Sequence, residues 1–187
     1  MNQTLSTNAD AAQAVTKSHA RTFVTFKVAG VDFAMPTLMV REVYAPLPEV
    51  FAVPHAPRQV LGVVNLRSQL FLILNSAELL VPNASGARNG DVASSSRLLL
   101  LKPTVADSCG LLVDSVGDIV TLSEADLRPA GDDALALTPW LVGVGQLREC
   151  LLALIDPARL IEHVTRIIQQ QPQVHQPGQS PKSQDSP

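Results

Sequence analysis

The chain is short of the residues from which most binding and catalytic chemistry is built. Its 187 residues include two cysteines, one tryptophan and one tyrosine, with aromatics at 4% and charged residues at 17%. Two cysteines, Cys109 and Cys150, permit at most one disulfide, and no apolar stretch follows a basic start as in a secretory leader, so both are read as reduced, buried or half-buried thiols. A net charge of −3 without a basic block removes the electrostatic footprint of a nucleic-acid binder. The few aromatics leave no stacking platform for bases, and no polybasic segment suits a membrane surface. The longest apolar runs, Arg97-Leu-Leu-Leu-Leu101 and Leu151-Leu-Ala-Leu-Ile155, have strand length, far below the roughly 20 residues that span a bilayer. These absences predict a soluble, cytoplasmic protein.

Catalytic constellations are missing too. The histidines His19, His55, His163 and His175 stand in no His-x-x-x-His or Glu-x-x-His pattern, and the cysteines form no Cys-x-x-Cys. No Gly-x-Ser-x-Gly occurs, and Ser68 and Ser115 have no evident His or Asp partners. Gly143-Val-Gly145 lacks the third glycine of a phosphate cradle. The expectation is therefore no enzyme, no metal and no cofactor. A small hydrolase, the distant alternative, would need a pocket holding a perturbed base.

What is present is aliphatic and strand-like, since 46% of the chain is hydrophobic. Residues 1–20 and 169–187 carry too few large apolar side chains to repay their ordering entropy, and are read as disordered tails. Residues 83–96 read as a linker between two structured halves. Thr22–Val28 alternates in period two, Ala29-Gly30 turns, and Val31–Met35 returns. Thr37 is placed to cap a short helical turn through Glu42. Four prolines between 46 and 57 keep the next stretch in loop or edge geometry, before strands at Val60–Arg67 and Leu70–Asn75. The second half repeats the scheme: a hairpin over Arg97–Lys102 and Gly110–Val113, Val116–Val120 matching Val40–Tyr44, then strands at Trp140–Arg148 and Leu151–Ile155. Asp156 caps a terminal helix with Pro157 in its first position.

The halves are related. Gly143 follows Gly62 by 81 positions (143 − 62), and at that offset Val60–Leu80 aligns with Leu141–Ile161 without a gap. Gly62/Gly143, Val63/Val144, Leu66/Leu147, Arg67/Arg148 and Leu70/Leu151 are identical pairs, with Asn65/Gln146 and Asn75/Asp156 near-equivalents. A duplication of two small all-β units explains this pattern. The predicted layout is a first barrel at about 22–82, the linker 83–96, a second barrel at about 97–156, and a helix over 157–168.

Three segments carry a further resemblance. Val53-Pro-His-Ala-Pro57 followed by Val60-Leu-Gly-Val-Val-Asn-Leu-Arg67, then Val40-Arg-Glu-Val43, and Val113-Asp-Ser-Val-Gly-Asp-Ile-Val120 with Leu127-Arg-Pro129 together resemble the chemotaxis coupling protein (CheW) family. The resemblance implies an all-β fold of two tandem, intertwined, SH3-like five-stranded barrels with a short C-terminal helix. It also implies a non-catalytic scaffold in two-component signalling, associated with membrane receptor arrays, that couples the chemoreceptor cytoplasmic tip to a histidine kinase regulatory domain. Val40, Glu42, Val43, Asn65 and Arg67 would face the receptor, and Pro48, Val50, Phe51 and Val53 the kinase. Read without the family, Glu42 and Arg67 are solvated charges or a surface ion pair worth about 0–1 kcal/mol. The chain departs from the family pattern at Ser68 (usually glycine), Leu72 (usually proline) and Asn75 (usually aspartate). Those departures suit an accessory regulator of a non-flagellar pathway, such as type IV pilus motility or development, as the alternative.

Overall fold

Alternating burial along Arg21–Val28 (β1) and Val31–Pro36 (β2) shows why these segments pair: Phe23, Val24, Phe26 and Val28 are buried, while Arg21, Thr22 and Lys27 reach solvent. The hairpin turns at Ala29-Gly30, where the Ala29 N–H donates to Asp114 Oδ2 at 2.7 Å. The computed structural model describes residues 20–82, 95–132 and 138–170. The expected tails, apart from Ala20, Gln169 and Gln170, and the expected linker through residue 94 lie outside the described residues. A 3-10 turn, Thr37–Met39, leads into Val40–Tyr44 (β3). Thr37 does not cap it; the flanking position is Pro36, and Thr37 Oγ1 donates instead to the Thr22 carbonyl. The expected helical turn through Glu42 is thus corrected to an extended strand, because Val40 to Tyr44 pair with the leucines of Arg97–Leu101 (β6).

The remaining elements are Val60–Leu66 (β4), Gln69–Asn75 (β5), Ser76–Leu80 (α1), Cys109–Val113 (β7), Ser115–Leu122 (β8), Leu127–Pro129 (β9), Leu141–Leu147 (β10), Cys150–Ile155 (β11) and Pro157–Gln170 (α2). They form two sheets, ordered β8-β1-β2-β11-β10-β9 and β3-β6-β7-β5-β4. The fold is all-β with a C-terminal helix, and its two barrels are intertwined. One sheet has six strands because the short β9 joins β10. The sheets are not the two sequence halves: β3 to β7 are consecutive in the chain, whereas β1 and β2 sit with β8 to β11. An inserted barrel, Val40–Val113, therefore interrupts a split barrel. The boundaries expected at 22–82 and 97–156 cut across both sheets, since each repeat places its leading hairpin beside the later strands of the other repeat.

The duplication survives in the hydrogen-bond registers. In β4–β5 the bulge lies between Val60 and Gly62, and in β10–β11 between Leu141 and Gly143, the same offset of 81 positions (141 − 60). A Cβ on Gly62 would lie 2.4 Å from the Phe51 carbonyl oxygen, and one on Gly143 2.5 Å from that of Arg128. Both positions thus admit a strand passing directly over them, which only glycine permits. Each barrel has its own interior, Val64, Leu66, Phe71, Ile73, Leu98 and Leu100 in the inserted one and Phe23, Ala34, Leu122, Leu152 and Leu154 in the split one. A third, larger cluster runs through Phe26, Met35, Leu99, Leu111 and Trp140, and takes in Leu160 and Val164 of α2.

Helices α1 and α2 start from offset-related caps. Asp156 Oδ1 accepts from the Ala158 N–H at 2.9 Å, and Asn75 Oδ1 from the Glu78 N–H at 3.5 Å. The amide in place of a carboxylate thus keeps the bond three residues on, whose counterpart from the Arg159 N–H to Asp156 Oδ1 is 3.4 Å. In the next position, where α2 has the buried Pro157, α1 has Ser76, fully buried with no hydrogen-bond partner for its hydroxyl. An unpaired buried hydroxyl costs about 1–3 kcal/mol. Ser76→Ala should therefore raise stability by about 1 kcal/mol, seen as a rise of roughly 2–4 °C in thermal midpoint. A fall would show that the hydroxyl is satisfied.

Candidate protein-docking site

One mouth of the inserted barrel brings together two arginines, a glutamate and two aromatic rings. The edge strands β3 and β4 lie at opposite ends of the five-stranded sheet, and side chains close the gap between them. Arg67 Nη2 donates to Glu42 Oε1 at 3.0 Å, with Arg67 74% and Glu42 33% exposed. The same guanidinium stands 5.8 Å from the Tyr44 ring centroid, and that of Arg41 stands 5.5 Å from the buried Phe71 ring. Cation–π contacts at this exposure contribute about 0.5–1 kcal/mol each. Together with Leu66, Gln69 and Leu100 these residues leave a cleft of only about 20 Å³.

The backbone presenting Arg67 is itself unusual. β4 and β5 are joined by the two-residue turn Arg67-Ser68, with φ of 51° and 64°. Such primed turns match the twist of a hairpin and favour Asn-Gly. Ser68 adopts the left-handed conformation with a side chain attached. Gln69 Nε2 donates to Ser108 Oγ at 2.7 Å, and the Leu72 N–H donates to the Ser108 carbonyl at 2.8 Å, which fixes the start of β5. Arg67 is thereby held on a stiff hairpin tip facing the edge of β3.

The remaining candidates divide by exposure. Val43 and Asn65 are exposed on β3 and β4, whereas Val40 is half-buried and packs on the cluster between the barrels. Glu42 and Arg67 are the two that touch. Among Pro48, Val50, Phe51 and Val53, Val50 packs on the interior of the inserted barrel and Pro48 is half-buried. Phe51 is 52% exposed while its backbone exchanges two 2.8 Å hydrogen bonds with Val63, and Val53 is exposed beside it. Tyr44, Arg41 and Phe71 were missed as site residues. The alternation Glu42-Val43-Tyr44 could have indicated that Tyr44 shares a face with Glu42. Of the two thiols, Cys109 is buried, which pushes it up to about 11, but Cys150 is exposed, contrary to the expectation of burial. Among the described residues no helix is long and apolar enough to cross a membrane.

Comparison with known proteins settles the family. The CheW-like domain matches residues 22–165. The chain belongs to the CheW-like domain family. It is 32% identical over 114 residues to the chemotaxis protein CheW of Rhizobium meliloti, covering 61% of this chain and 69% of that one. Against the chemotaxis protein CheW of Klebsiella aerogenes the identity is 26% over 140 residues, covering 74% and 80%. The crystal structure of the scaffolding protein TtCheW from Thermoanaerobacter tengcongensis superposes with a TM-score of 0.63 at 19% identity, over 76% of this chain and 92% of that one. The match begins one residue after the start of β1 and ends within α2, so the CheW-like domain takes in both barrels and most of the terminal helix.

Proposed function

We propose that this chain is a non-catalytic cytoplasmic scaffold of chemotaxis signalling, coupling a chemoreceptor tip to the regulatory domain of a histidine kinase. The observation that carries the reading is membership of the CheW-like family across both barrels. The mouth formed by Glu42, Arg67 and Tyr44 is the proposed receptor contact. Its charges are partly exposed, so a docking partner can desolvate them, and Val43 and Asn65 lie exposed on the same two strands. The exposed pair Phe51 and Val53 is the proposed kinase contact, since apolar side chains on a segment bonded to a strand edge suit a protein interface better than water.

The test is affinity purification of the tagged chain from its native cell, with identification of the co-eluting proteins. The expected result is one histidine kinase and at least one chemoreceptor. Recovery of neither would overturn the coupling role.

A further inference from the structure

We infer that the corresponding mouth of the split barrel is a second docking site, for a protein segment that presents an aromatic side chain beside an arginine or lysine. The strand registers identify the two mouths residue by residue. β8 pairs with β1 as β3 pairs with β6, each across a bulge, so that Ile119, opposite Val24, corresponds to Val43, opposite Leu99. Asp118 then stands for Glu42 and Val120 for Tyr44, while the offset of 81 positions makes Arg148 the counterpart of Arg67 and Glu149 that of Ser68.

Equivalent positions hold different contents. The first mouth is plugged by Tyr44 and by Arg41 over Phe71, leaving about 20 Å³. The second has valine for the tyrosine and Gly117 for the arginine, and opens into a surface hollow of about 860 Å³ lined by Asp118, Ile119, Val120, Leu147, Arg148, Glu149 and Cys150. The chain cannot supply the missing cation at position 117, because a Cβ there would lie 2.6 Å from Thr25 Oγ1. Meanwhile Glu149 adds a carboxylate. Asp118, Arg148 and Glu149 take part in none of the ion pairs within 4.0 Å among the described residues, so two carboxylates face one guanidinium without a fixed partner. Ile119 beside them is 69% exposed. Compared with the first mouth, the second lacks the Tyr44 ring and the Arg41 guanidinium and carries one more carboxylate, so the complementary occupant supplies an aromatic side chain and a cation. The inference does not depend on the receptor and kinase reading, because it concerns the other mouth and requires only that a protein binds there.

The experiment is an NMR titration of the full chain with a capped Gly-Tyr-Arg-Gly peptide, using capped Gly-Tyr-Glu-Gly as control. Saturable shifts are expected in the backbone amides of Asp118–Val120 and Leu147–Leu151, with the control at least tenfold weaker. Val120→Tyr, which rebuilds the plug from within, should abolish the shifts. Asp118→Asn combined with Glu149→Gln should weaken binding at least fivefold, and both positions are exposed, so the fold is retained. Should Val120→Tyr fail to fold, the double carboxylate variant decides alone. The proposal is overturned by an absence of saturation, by equal binding of the control, by shifts centred on Glu42 and Arg67, or by undiminished binding in the double carboxylate variant.

Discussion

Residues 22–82 and 97–168, expressed separately, should show no cooperative unfolding, and mixing them should restore it. The first fragment carries β1 and β2, which belong to the split barrel, and β3, β4 and β5 of the inserted one. It lacks β6 and β7, which stand between β3 and β5, so β1–β2 and β4–β5 are left as isolated hairpins and β3 as an unpaired strand. A lone two-stranded hairpin is marginal in water. The second fragment has the complementary defect: β8 loses its partner β1, and β11 its parallel partner β2. Together the two supply every strand of both sheets, so a one-to-one complex with a single unfolding transition is expected. Its stability should depend on concentration, since the covalent link no longer holds the pieces together. Chemical denaturation of each fragment and of the mixture, followed by circular dichroism, reads this directly. A fragment that alone unfolds with the midpoint of the whole chain would contradict the exchanged hairpins, as would a mixture that fails to associate.

Charge reversal at the first mouth should have the largest effect on binding. Glu42→Lys or Arg67→Glu places like charges 3.0 Å apart where an ion pair now stands, and removes the cation over Tyr44 in the second case. Stability should change by no more than about 1 kcal/mol, because the pair is exposed and screened. Partner binding should weaken by about 1–3 kcal/mol, as for interface hot spots, or roughly 5- to 150-fold in dissociation constant. A charge that a docked partner removes from water depends on its counter-charge far more than one left in solvent. Thermal melts alongside affinities for the co-purified receptor and kinase, measured on both single variants and the double swap, distinguish the outcomes. Wild-type affinity for both partners in both singles would remove these residues from the site. Unfolding of both singles with rescue by the swap would make the pair structural.

Much of this was legible before any coordinates, and the illegible part has a physical cause. Periodicity found the strands, and the gapless match of Val60–Leu80 to Leu141–Ile161 reappears as two bulges in the same register. Glu42 and Arg67, 25 residues apart, could be placed together only through the family resemblance, since nothing local joins them. The exchange of hairpins was not visible, because a repeat in the sequence is silent about which copy's strands pair. Pairing is decided by long-range burial, here the shared cluster through Phe26, Met35, Leu99 and Leu111. The turn at Thr37 misled for a related reason. A capping residue signals a helix only where the following side chains lack a better partner, and Val40–Tyr44 had the leucines of β6.

The nesting of one barrel within the other also makes the molecule mechanically uneven. Ala20 leads into β1, and Gln170 ends the helix that follows β11, so both described ends of the chain leave from the split barrel. Tension applied between those ends must first pull apart the sheet that holds β1, β2 and β11 side by side. The inserted barrel meets load only afterwards, through β3 and β7. A tether at either end would therefore spare the mouth at Glu42 and Arg67 until the outer barrel had yielded, and stretching a single molecule should release the two barrels in that order.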